Sequence, residues 1–157
     1  MSVSVMRFVS SVVGLFLGGL FIYAGVQKDL APYEFAEAIL AYQLLPSTLV
    51  GLVAAILPWV EMVSGSSLIL GCLLGSRRFA NPFPVSSLFR RSGLLLILGQ
   101  SLLFIALLFI TMARGLKIDC GCGLFFQRQV GLESILEDGF FLLLTGLLYW
   151  REQRLNP

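Results

Sequence analysis

Ser92-Gly-Leu-Leu-Leu-Ile-Leu-Gly-Gln-Ser-Leu-Leu-Phe-Ile-Ala-Leu-Leu-Phe-Ile-Thr-Met-Ala113 runs for 22 residues without a charge, and Arg91 and Arg114 bracket it. At helical rise it reaches about 33 Å, enough to cross a hydrocarbon layer about 30 Å thick. The segment therefore predicts a membrane-spanning helix. Two more segments meet the same standard: residues 8–26, between Arg7 and Lys28, and residues 49–75, interrupted by Pro58 and Glu61. A fourth, residues 132–150, is weaker because Glu133, Glu137 and Asp138 crowd its first turns. Its start is expected to stand above the lipid or inside the bundle. Trp150 followed by Arg151 marks an interfacial end. The expected fold is all-α, an integral membrane four-helix bundle forming one domain over residues 1–157.

Composition supports this setting. Hydrophobic residues make up 57% of the 157 and charged ones only 13%, with a mean hydropathy of +0.90, far from the usual mix of a soluble domain. Once four spans are subtracted, too little chain remains for a water-soluble core. Function must then reside in the bundle or its loops. A net charge of +2 argues against nucleic acid as a partner. The apolar run after Arg7 is too long for a signal-peptide core and lacks a good small-x-small site after it, so this helix is expected to be retained.

Basic residues set the expected topology. Arg7, Arg77, Arg78, Arg90, Arg91, Arg151 and Arg154 fall on one side of a four-span chain, and Lys28, Arg114, Lys117 and Arg128 on the other. By the positive-inside rule both termini face the cytoplasm of a bacterial inner membrane, and the loop after the third span faces outward. The turn-rich linker from Gly75 to Arg91, with Asn81-Pro82-Phe83-Pro84, is expected to offer its arginines to anionic headgroups.

Between the first two spans, Pro32 occupies a natural first helical position, and the apolar spacing that follows predicts a short interfacial helix over residues 32–44. Tyr33, Phe35 and Tyr42 are expected at headgroup level, with Glu34 and Glu37 facing water or the loop after the third span. Glu61, deep in the second span and three residues after Pro58, has two readings: an acid that handles protons or lies near a quinone, or a structural acid bonded to neighbouring helices. Lys28 and Arg114 are the candidate charge partners. Cys72 lies near the cytoplasmic end of its span, too far from the other two cysteines for a disulfide, and reads as a small buried thiol.

Those other cysteines carry the chemistry. Asp119-Cys120-Gly121-Cys122-Gly123 sets two thiols one glycine apart, and a disulfide across so short a span closes a small bent ring that is easier to reduce than a relaxed one. Gly121 permits the backbone angles the ring requires. Arg114 and Lys117 favour the thiolate, whereas Asp119 opposes it and can accept a proton during exchange. An outward-facing loop also meets an oxidising compartment. Two rival readings stand beside exchange: an inert structural disulfide, and a soft-metal site, which two sulfurs without any histidine leave incomplete. The metal reading is not adopted.

Several motifs together resemble the MauE branch of the DoxX-like membrane proteins: Ala24-Gly25-Val26-Gln27-Lys28, Tyr42-Gln43-Leu44-Leu45-Pro46, Leu57-Pro58-Trp59-Val60-Glu61 with Gly65, and Arg114-Gly115 leading into Asp119-Cys120-Gly121-Cys122. The resemblance covers residues 7–148. It departs after Cys122, where Gly123-Leu124-Phe125-Phe126 displaces the aromatic that usually follows directly. The resemblance implies a four-helix membrane protein that acts with a thioredoxin-like partner in maturing periplasmic proteins with disulfides. A quinone-coupled role is implied by other DoxX-like members. The expected function is thus that of a thiol–disulfide oxidoreductase using Cys120, Cys122 and Asp119, supported by Arg114, Lys117, Gly121, Glu61 and Lys28, with a membrane quinone as candidate electron sink. The rival class is a non-catalytic membrane scaffold whose disulfide merely ties a loop.

Overall fold

The computed structural model describes residues 3–76, 85–116 and 132–155. These form five helices: α1 (Val3–Leu30), α2 (Pro32–Ala41), α3 (Ser47–Ser76), α4 (Val85–Ala113) and α5 (Leu132–Leu155). The protein is an all-α, multi-pass membrane bundle of four long helices and one short one, with no strand among the described residues. The segments Phe8–Leu30, Ser47–Gly75 and Val85–Ala113 are each long and apolar enough to cross a membrane. α5 completes the bundle with a more polar sequence. In order around the bundle, α3 contacts α1 and α4, and α4 contacts α5, while α2 lies on α3 and touches α1.

Lipid tails are as apolar as leucine, so helices within a membrane associate through close packing of small residues. The α1–α3 seam follows that rule. A Cβ on Gly65 would stand 2.5 Å from the Gly18 carbonyl oxygen, one on Gly25 would stand 2.6 Å from the Pro58 carbonyl oxygen, and one on Gly14 would stand 2.7 Å from the Cys72 sulfur. α3 meets α4 in the same way, because Gly93 admits the Leu68 backbone and Gly71 admits that of Arg90. Leu17, Leu68, Cys72, Leu94 and Ile97 form the buried cluster between these helices, and Phe141, Leu144 and Leu148 of α5 pack against it. Cys72 is thus a packed core thiol.

The start of α4, the end of α2 and the placement of two side chains differ from expectation. α4 begins at Val85, so residues 85–91 are helix and not linker; hydropathy marks where lipid begins, whereas the helix starts as soon as the chain leaves Pro84. Arg90 consequently points into the bundle instead of to headgroups: its Nη2 donates to Ser10 Oγ at 2.9 Å, and its Nε lies 3.3 Å from Glu152 Oε2. α2 stops at Ala41, short of residue 44, because Gln43 adopts a left-handed φ of 52°. Phe35 also departs from the headgroup expectation. It is only 8% exposed and turned inward, whereas Tyr33 is 86% exposed.

Candidate functional site

Lys28 lies near the end of α1, and Glu61 lies 14 residues after the start of α3, about 21 Å along it. Antiparallel packing through Gly25 and Pro58 brings them together. Lys28 Nζ donates to both carboxylate oxygens of Glu61, at 2.6 and 2.8 Å, with the residues 5% and 1% exposed. Phe35 and Phe104 flank the ammonium, their ring centroids 5.6 and 5.4 Å away. Aromatic faces attract a desolvated cation and partly replace its lost water. Of the two partners proposed for Glu61, Lys28 is the one found.

The polar network continues inward. Ser64 Oγ donates to the Glu61 carbonyl at 2.9 Å, and Gln100 Nε2 on α4 donates to Ser64 Oγ at 3.1 Å. Beside the ion pair lies a cavity of about 30 Å³, whose lining includes Lys28, Glu61, Ser101, Phe104, Asp138 and Phe141. Such a volume has room for one or two waters. Asp138 enters the cavity from α5, with its Oδ2 buried and unpartnered among the described residues.

Arg114 has another task. Its Nη1 donates to the carbonyls of Tyr42 and Gln43, at 3.2 and 3.1 Å, fastening the end of α4 to the α2–α3 corner. The next residue, Gly115, has φ +68°. There Leu116 N–H bonds the Thr111 carbonyl and Gly115 N–H bonds that of Met112, the paired closure that ends a helix on a left-handed glycine. The chain is thereby turned off the axis of α4. Close by, burial and then the charge of Asp138 push the Tyr42 phenol up to about 12.

Two pairs of sequence motifs therefore prove to be two sides of single contacts. The Ala24–Lys28 motif meets the Leu57–Glu61 motif through Gly25/Pro58 and Lys28/Glu61, and the Tyr42–Gln43 motif meets Arg114. Lys117, Asp119, Cys120, Gly121 and Cys122 lie outside the described residues. Sequence reading missed Asp138 as a cavity residue, although an acid inside an apolar segment is the same signal that singled out Glu61. It also missed Glu152. Four-span topology sets the C-terminal end of α5 beside the start of α4, so opposite charges at Glu152 and Arg90 were the available clue.

Apolar helices around a sealed ammonium–carboxylate pair, with a short helix clamped across one end, define a small multi-pass membrane protein with an interior polar site. The family model described as methylamine utilisation protein MauE matches residues 6–151. The chain belongs to the MauE family. No curated protein and no solved structure matches it.

Proposed function

We propose that this chain is a membrane thiol–disulfide oxidoreductase acting in methylamine utilisation, in which Cys120 and Cys122 exchange electrons with a thioredoxin-like partner. The observation that carries the reading is a Cys-Gly-Cys pair in the connection between α4 and α5 of a MauE-family membrane chain. A thiolate of the reduced partner attacks one sulfur of the Cys120–Cys122 disulfide, the other sulfur leaves as thiolate, and a mixed disulfide forms. The partner's second thiol then attacks its own half of that bond and frees this chain as the dithiol. The partner ends oxidised by two electrons and this chain reduced by two. Asp119, Arg114 and Lys117 are the charges set to handle protons and favour the thiolate. The topology proposed with it puts both termini in the cytoplasm and the dithiol outside a bacterial inner membrane.

A membrane quinone is the proposed acceptor for reoxidation. The cavity beside Lys28 does not fit one, because about 30 Å³ admits water and not a quinone ring. The test replaces Cys120 or Cys122 singly by serine in intact cells. Exchange predicts a reductant-sensitive mixed disulfide between the remaining cysteine and a partner, together with loss of function. Full function in both variants would instead support the scaffold reading.

A further inference from the structure

The cavity beside Lys28 is lined by two carboxylates and one ammonium. Glu61 takes both its hydrogen bonds from Lys28, so the one ammonium at the cavity is already committed. Asp138 faces the same space with a buried, unpartnered carboxylate oxygen. Lys28 is the only cation among the described residues lining the cavity. α1 offers Lys28, α3 offers Glu61, the end of α2 offers the neutral phenol of Tyr42, and α5 itself adds Glu137 beside Asp138. α4 contributes only Ser101 and Phe104 at the cavity wall. Among the described residues, two cavity carboxylates share one cation.

An uncompensated charge in such an interior is costly. A proton is the smallest ligand that restores neutrality, and a hydroxyl at Asp138 gains a donor that a cavity water or Ser101 can accept. The cavity's room for one or two waters supplies that partner and a means of proton exchange. We infer that Lys28, Glu61, Asp138 and the small cavity between them form a buried proton-binding site, with the proton on Asp138 and the charged pair on Lys28 and Glu61. The proton site does not depend on the dithiol. It binds its proton whether or not Cys120 and Cys122 exchange electrons.

The test is infrared difference spectroscopy of the full chain in lipid nanodiscs, titrated with pH and transferred to heavy water. The expected result is one carboxylic C=O band that titrates, shifts in heavy water, is lost in Asp138→Asn, and titrates at lower pH in Glu61→Gln, where the released Lys28 ammonium faces Asp138. Isotopic labelling of aspartate alone, in the unaltered chain, should shift that band even where the Asn variant does not accumulate. Asp29→Asn and Asp119→Asn should leave it in place. The proposal is overturned if no aspartate carboxyl titrates, if the band survives Asp138→Asn, or if sodium at constant pH replaces the proton there.

Discussion

Two ion pairs between long helices make an instructive contrast. Lys28–Glu61 joins α1 to α3 with both carboxylate oxygens engaged and side chains 5% and 2% exposed. Arg90–Glu152 joins α4 to α5 at 3.3 Å, with side chains 14% and 8% exposed. The first sits between phenylalanine rings, where no other group among the described residues is bonded to the ammonium. The second has Ser10 as an extra partner. A sealed pair is intolerant of losing one member yet adds little net stability over an apolar substitute, whereas a looser pair with alternative partners gives way gradually. Charge in the first pair is thus better understood as fixing which helix faces meet than as holding the bundle together.

The largest expected effect tests this directly. Glu61→Ala strands the Lys28 ammonium and should cost about 3–5 kcal/mol, read by steric trapping in bicelles. Lys28→Met combined with Glu61→Met should recover most of that loss, and a double variant no better than the single one would overturn the contrast. Next in size is Gly65→Ala, whose new methyl would press on the Gly18 carbonyl oxygen. It should cost about 1–3 kcal/mol and weaken the coupling between Lys28 and Glu61 in a double-mutant cycle. Arg90→Lys keeps a cation for Glu152 but loses the bond to Ser10; about 0.5–1.5 kcal/mol is expected, the net worth of one hydrogen bond. A cost equal to that of Glu61→Ala would erase the distinction between the two ends.

The smallest effect is confined to alkaline pH. The Tyr42 phenol is raised to about 12 in the fold from its ordinary value of 10.0, so the neutral form favours the folded state. Its contribution is complete below about pH 10 and declines as pH climbs toward about 12. Tyr42→Phe should flatten that decline, measured as unfolding midpoint against pH. Ultraviolet absorption of the phenolate should place the tyrosine's titration in the same window.

Apolar length made α1, α3 and α4 readable, since lipid imposes one requirement on every spanning segment. The start of α4 was not readable in the same way. Helical hydrogen bonding does not need apolar side chains, so Ser86, Ser87 and the two arginines continue the helix that hydropathy counts only from Ser92. At the site, depth alone identified Glu61 as exceptional, but choosing Lys28 over Arg114 required the helix register that Gly25 and Pro58 establish. Asp138 was visible only as one of several acids crowding a weak span. Its direction depends on how α5 rotates against α1 and α4, which no local pattern encodes.

The grip of Arg114 on two carbonyls of the Tyr42–Gln43 corner has a mechanical consequence. It is made immediately before the glycine that turns the chain off the axis of α4. A pull on the chain beyond Gly115 passes first into the corner and is shared with α2 and α3, so the last turn of α4 is spared from unravelling. Arg114 works as strain relief for the cable that follows it.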